Sequence, residues 1–302
     1  MALTKRIVLL LLTNILVVLM ISLVLSVLNI RPFLSQYGIN YTELLVFCLI
    51  WGMGGAFISL ALSKVMAKWA MGVQIIDPET RDPEQRELCE TVRSLALEAG
   101  IPMPEVGVYR SNEVNAFATG PSQRRSLIAV STGLLQRMKE NEVRGVLGHE
   151  ISHIANGDMV TMTLLQGVVN AFVMFLARVL AYAVSGLGRN NRQSSSGGSY
   201  MSYYLFVILF EIVFMILGSI VIATYSRWRE FRADAGGARL AGKDNMIDAL
   251  KSLRVLQEVK DPRTEKPAYA AFKISMHGKK GLLRLFATHP PLEERIERLK
   301  NS

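Results

Sequence analysis

A mainly α integral membrane protein, with about four transmembrane helices plus an α+β domain carrying a small β-sheet, is the fold class this sequence predicts. Three observations predict it. Half of the 302 residues are hydrophobic and mean hydropathy is +0.28, which is high for a chain that folds in water. The apolar residues gather into four long blocks, 7–28, 44–62, 159–187 and 203–225, each near the ~20 residues that cross a bilayer. Between them lie two polar stretches, 63–158 and 226–302, in which strand-like runs and helical periodicity alternate.

The blocks follow in order. Met1–Arg6 is short and basic, and 7–28 is broken only by Thr13, Asn14, Ser22 and Ser26. A signal peptide would have a shorter apolar core and a small-x-small cleavage site, so a retained first span is expected. A connector, 31–40, leads to 44–62, whose Gly52, Gly54, Gly55 and Ala56 suit close helix packing in a membrane; no Lys-Ser/Thr follows to make them a phosphate loop. The domain organisation expected is a membrane hairpin at 1–62, a water-soluble segment at 63–158, a second hairpin at 159–225 with a low-complexity linker at 188–202, and a helical segment at 226–302.

Lys5, Arg6, Lys64, Lys68, Arg227, Arg229 and Arg232 flank the apolar blocks, so the positive-inside rule places both termini and both polar stretches in the cytoplasm. The net charge of +9 is thereby read as membrane anchoring in a lipid bilayer. Nucleic acid is not the expected partner, because the basic residues do not interleave with aromatics. Two cysteines, Cys48 and Cys89, offer neither a disulfide framework nor a thiolate metal site. Arg178 and Glu211 each interrupt an apolar block, at similar distances from the 189–202 turn, and are expected to pair within the membrane.

The first polar stretch opens with Asp82-Pro83, an N-cap with Pro at N1, and a helix closed by Gly100. Three strand-like runs follow, 106–109, 114–119 and 127–131. The middle one, containing Asn115, Ala116 and Phe117, is weakly apolar and suits a sheet edge, where an extended peptide can be held by main-chain hydrogen bonds. Asn141 is expected to cap the next helix.

That helix carries Gly148-His149-Glu150-Ile151-Ser152-His153. On a 3.6-residue repeat, two His at i and i+4 share a face and can hold one metal ion, with Glu150 on the same side to take a proton from a metal-bound water. Val143, Leu147, Ile151 and Ile154 form an apolar stripe about 135° around the helix, so one face packs and the other is free for chemistry. A catalytic zinc needs a third protein ligand. Position 159 is Met, which removes the option of a third His six residues after His153. His277, His289 and many acidic residues remain. Glu230 is the best of them: Glu230 and Asp234 stand at i and i+4 on a helix leaving the membrane where the His-bearing helix enters it. Asp234 would accept the free ring N–H of a ligand His and fix its tautomer.

Together, His149-Glu150-x-x-His153 running into a span, Glu230-x-x-x-Asp234, the Asn115-Ala116-Phe117 run and His289-Pro290-Pro291-x-x-x-Arg295 resemble the HtpX family of bacterial membrane metalloproteases, which is related to the eukaryotic CaaX prenyl-protein protease. The resemblance covers nearly the whole chain. It implies a zincin-like domain holding one Zn2+ per chain on His149, His153 and Glu230. It further implies an endopeptidase of the cytoplasmic membrane in quality control, with misfolded membrane proteins as substrates. Glu150 would be general base, and His289 and Arg295 match positions placed near the substrate oxyanion, where positive charge offsets that of a tetrahedral intermediate. Two other readings stay open at this point: cleavage within the membrane, and a structural metal in a non-enzymatic membrane protein.

Overall fold

A computed structural model of the chain describes residues 34–35, 38–187, 196–258 and 282–302. The first expected span, 7–28, lies outside these residues. Within the 31–40 connector the described pieces form a short antiparallel pair, β1 (Leu34–Ser35) and β2 (Gly38–Ile39).

Three helices are long and apolar enough to cross a membrane: α1 (Tyr41–Met71), α5 (Asp158–Leu187) and α6 (Ser196–Ala241). They coincide with the second, third and fourth apolar blocks but outrun them. α6 has 46 residues, about 69 Å of helix against ~30 Å of hydrocarbon, so its stretch from Arg227 onward stands outside the apolar span. It also begins at Ser196, inside the 188–202 stretch expected to be linker. The chain divides into two compact units, residues 1–59 with 162–222 and residues 60–161 with 223–302.

In the first unit small residues bring α1 and α5 together. A Cβ on Gly52 would lie 2.6 Å from the Ala171 backbone N, and one on Gly167 would meet Met53 Sδ at 2.7 Å, so close packing is the role of Gly52, as its sequence context suggested. Arg178 and Glu211 pair at 2.6 Å (Nη1–Oε1), with the guanidinium 5.8 Å from the Phe47 ring centroid. Each thereby offsets the cost of holding the other charge among apolar helices.

The second unit is built on a four-stranded sheet of order β3-β4-β6-β5, with β3 (Gln74–Ile75), β4 (Glu105–Tyr109), β5 (Ala116–Thr119) and β6 (Leu127–Ser131). β4 and β6 run parallel, while β3 and β5 are antiparallel to their neighbours. Three of these strands match the sequence reading. β3 escaped it because two residues show no alternation. The five buried residues of β6 make the central strand, and β5 lies at the edge.

One face of the sheet is covered by α2 (Pro83–Glu98) and α4 (Glu140–Ala155). Asp82 caps α2 by accepting from Glu84 N (3.1 Å), and Gly100 adopts φ +66° beyond its end, both as expected from Asp-Pro and Gly. Leu88, Val92 and Leu95 of α2, Val106, Ile128 and Val130 of the sheet and Leu147, Ile151 and Ile154 of α4 form one core. The apolar stripe read from the His-bearing segment is therefore the face that packs. The cap of α4 differs from expectation. Lys139 rather than Asn141 is the N-cap, because Glu142 reaches back to its backbone N–H (2.8 Å). Glu142 also accepts from Ser252 Oγ at 2.6 Å, which ties α4 to α7 (Lys243–Glu258). α3 (Thr132–Arg137) links β6 to α4, and α8 (Leu292–Lys300) packs Ile296 and Leu299 against Met246, Ile247 and Leu250 of α7.

Candidate metal centre

His149 and His153 lie one turn apart on α4, on the side opposite its core stripe. Across from them α6 continues past its apolar span and presents Glu230 and Asp234. Close approach is possible because the facing positions are small: a Cβ on Gly237 would come within 2.9 Å of His149 N, and one on Gly148 within 2.9 Å of Ala241 Cβ. Neither glycine was singled out from sequence, since nothing local marks a distant helix as the neighbour.

Donor atoms of His149, His153 and Glu230 all lie within 4.8 Å of one another. The two Nε2 atoms are 3.1 Å apart, and each is close to the Glu230 carboxylate, at 3.5 Å for His149 and 3.3 Å for His153. A tetrahedral zinc with ligands at 2.0–2.2 Å has ligand–ligand edges of about 3.3 Å, so these separations fit one ion. Glu230 Oε1 is buried with Arg229 Nη2 at 3.1 Å and His153 Nε2 at 3.3 Å but no well-aligned hydrogen bond, which leaves a lone pair of this carboxylate oxygen for a cation. Two imidazoles and a carboxylate form the donor set of a catalytic rather than a closed structural zinc site.

The outer nitrogens of both rings are engaged by carboxylates. His149 Nδ1 meets Asp234 Oδ1 at 2.9 Å and His153 Nδ1 meets Asp158 Oδ2 at 2.6 Å. Asp234 was expected from sequence; Asp158 was not. Each Nδ1 that donates to a carboxylate leaves its Nε2 lone pair free for a metal. Burial alone would push His149 down, but hydrogen bonds to Asp234 and Glu230 outweigh it and raise the imidazole to about 9 in the metal-free protein. Burial would raise Glu230, yet bonds from His149, His153 and His289 hold it well below the usual carboxylate range.

Arg295 is engaged with the second carboxylate, Asp234, and its Nη1 lies 3.7 Å from Glu230 Oε2. It is 7% exposed and grips Asp234 with Nε to Oδ2 (2.7 Å) and Nη2 to Oδ1 (2.5 Å), a two-pronged pair. α8 is held for this purpose by Arg298, which lies 4.5 Å above the Phe231 ring of α6. His289, by contrast, has a side chain 64% exposed with Nδ1 3.0 Å from Glu230 Oε2. It follows a 3-10 turn (Leu282–Phe286) whose end is fixed by Arg227 Nη1 on the carbonyls of Leu285 (3.0 Å) and Ala287 (2.7 Å). Glu150 is half-buried beside the cluster on α4. Asn115, Ala116 and Phe117 lie at the start of the β5 edge, which runs against α4. Asn115 is tied by main chain to Ser131 of β6, and among the described residues no hydrogen bond joins the three to the His-Glu cluster.

A family model described as "Peptidase family M48" matches residues 82–302. The chain is 52% identical over 299 residues to a "Protease HtpX homolog" of Methylacidiphilum infernorum, covering 98% of each chain. It is 50% identical over 298 residues to "Protease HtpX" of Thioalkalivibrio sulfidiphilus, again covering 98% of both. Among solved structures it resembles S. mikatae Ste24p with a TM-score of 0.58 at 21% identity, over 84% of this chain and 58% of that one. At that identity the likeness is one of fold.

Proposed function

The chain belongs to peptidase family M48, and from that premise we propose that this membrane metallopeptidase is a zinc endopeptidase working at the cytoplasmic face, with His149, His153 and Glu230 holding one ion. The convergence of those three donor atoms within 4.8 Å carries the reading. Zinc bound there would polarise the scissile carbonyl and acidify a water. Glu150, one residue after the first ligand on the same helix, takes the proton of the attacking water on its carboxylate and delivers it to the leaving amine. His289, beside Glu230 and open to solvent, can donate to the carbonyl oxygen as negative charge develops. Arg295 acts one step further out, holding Asp234 and through it His149. An extended substrate backbone can add to the free side of β5 at 115–117.

The cytoplasmic side follows from the basic residues that flank the spans, and misfolded membrane proteins are the substrates that an anchored peptidase at that level would meet. Replacing Glu150 by Gln tests the mechanism. The variant should bind one zinc per chain and lose roughly 100- to 10,000-fold in peptide hydrolysis. Hydrolysis at the normal rate with normal zinc content would sink the assignment.

A further inference from the structure

The stretch Asn156-Gly157-Asp158 is left unused by this mechanism, yet Asp158 is 1% exposed and a buried carboxylate requires partners. It has two. Oδ2 lies 2.6 Å from His153 Nδ1 and Oδ1 lies 2.5 Å from Arg232 Nη2. Arg232 is in turn held 4.8 Å from the ring centroid of Trp228, one turn earlier on α6. The arrangement repeats that of the other ligand, where Arg295 grips Asp234 and Asp234 meets His149. Each metal-binding imidazole thus ends an arginine–carboxylate–imidazole chain. Arg229 Nη1 also lies 3.1 Å from His153 Nδ1. A guanidinium only donates, so it cannot satisfy a nitrogen that carries its own hydrogen; Arg229 Nη2 pairs instead with Glu230 Oε1 at 3.1 Å.

The route by which Asp158 reaches the ring is local. α4 ends at Ala155, and Gly157 takes φ +67°, a left-handed turn that lets the chain double back so that the next residue faces the imidazole five positions earlier. We propose that Asp158, braced by Arg232, is a positioning residue of the metal centre: it fixes the His153 tautomer with Nε2 toward Glu230 and thereby sets metal affinity. This rests on the metal reading given above.

The test uses the full-length chain in detergent, stripped with chelator and titrated with Co2+, followed by its visible absorption, and with zinc in competition with a chromophoric chelator. Asp158→Asn keeps the shape and removes the charge. It should weaken both metals roughly 10- to 100-fold, alter the Co2+ band, and keep one metal per chain at saturation. Arg232→Gln should weaken binding in the same direction by less, with Arg232→Lys restoring most of it; this pair carries the test if Asp158→Asn fails to fold. Unchanged affinity and spectrum in folded Asp158→Asn, or in Arg232→Gln where the first variant does not fold, overturns the inference. His153→Ala separates the two levels of the argument. Loss of metal there leaves the metal centre intact as a reading, whereas wild-type binding there would remove the centre itself.

Discussion

Replacing Arg295 by Met distinguishes a brace from an oxyanion donor. The substitution keeps an unbranched side chain and deletes a guanidinium that makes two bonds, 2.7 and 2.5 Å, to a buried carboxylate. Asp234 would be left with His149 Nδ1 at 2.9 Å as its remaining partner. Stranding one member of a buried pair costs about 3–5 kcal/mol, a large share of the ~5–15 kcal/mol that holds a typical domain. Thermal unfolding of the zinc-loaded protein in detergent should show a markedly lower midpoint and weaker zinc retention. Adding Asp234→Asn removes the stranded charge, so the double variant should be more stable than Arg295→Met alone, with a coupling of at least ~1 kcal/mol in the cycle. An Arg295→Met protein that melts like wild type and keeps its zinc but no longer cleaves peptide would refute the brace and restore the role the sequence resemblance suggested.

Three further outcomes are expected. His149 is raised from 6.5 to about 9 in the metal-free protein by Asp234 and Glu230, with burial and Arg295 opposing; that stability is complete below pH 6.5 and is lost as pH rises through about 9. Over that window it amounts to about 3 kcal/mol, so the unfolding free energy of the stripped protein should fall steadily from pH 6 to 9.5, and a flat profile would count against the pairing. Gly237→Ala places a methyl within 3.1 Å of the His149 backbone N and Cα, which should cost about 1–3 kcal/mol and lower zinc affinity, measured by chelator competition, while leaving the spans inserted. Glu211→Lys sets two cations side by side at Arg178 and should reduce the yield of folded protein from membranes, whereas the Arg178→Glu with Glu211→Arg exchange should recover it; yields unaffected by the reversal would dismiss the ion pair as a packing element.

Much of the architecture was legible because its signals are local. Spans announce themselves by composition, and the ends of α2 by Asp82-Pro83 and Gly100. The His-Glu-x-x-His helix carries its own apolar stripe, and residues 147, 151 and 154 of that stripe are buried in the core. Misreadings occurred where geometry is decided at a distance. Asn141 is a good capping residue, yet Glu142 won the helix start because its carboxylate also had Ser252 of α7 to bind. β3 is only two residues long and exists because β4 is there to pair with it. The 188–202 stretch read as linker by its Ser and Gly content, although helix α6 already begins at Ser196.

The same division runs through the metal centre. Spacing alone determined that His149 and His153 share a face with Glu150 beside them, because a helical repeat follows from sequence without reference to anything else. Glu230 and Asp234 could be named from their own i, i+4 spacing and from connectivity through a membrane hairpin. Only the tertiary structure decided which carboxylate serves which imidazole, and that Arg295 braces Asp234 while His289 stands open beside Glu230. Those pairings join residues 59 to 85 positions apart, or depend on one left-handed glycine. A hydrogen bond needs its partners placed within a few tenths of an ångström, and only the packed helices supply that placement.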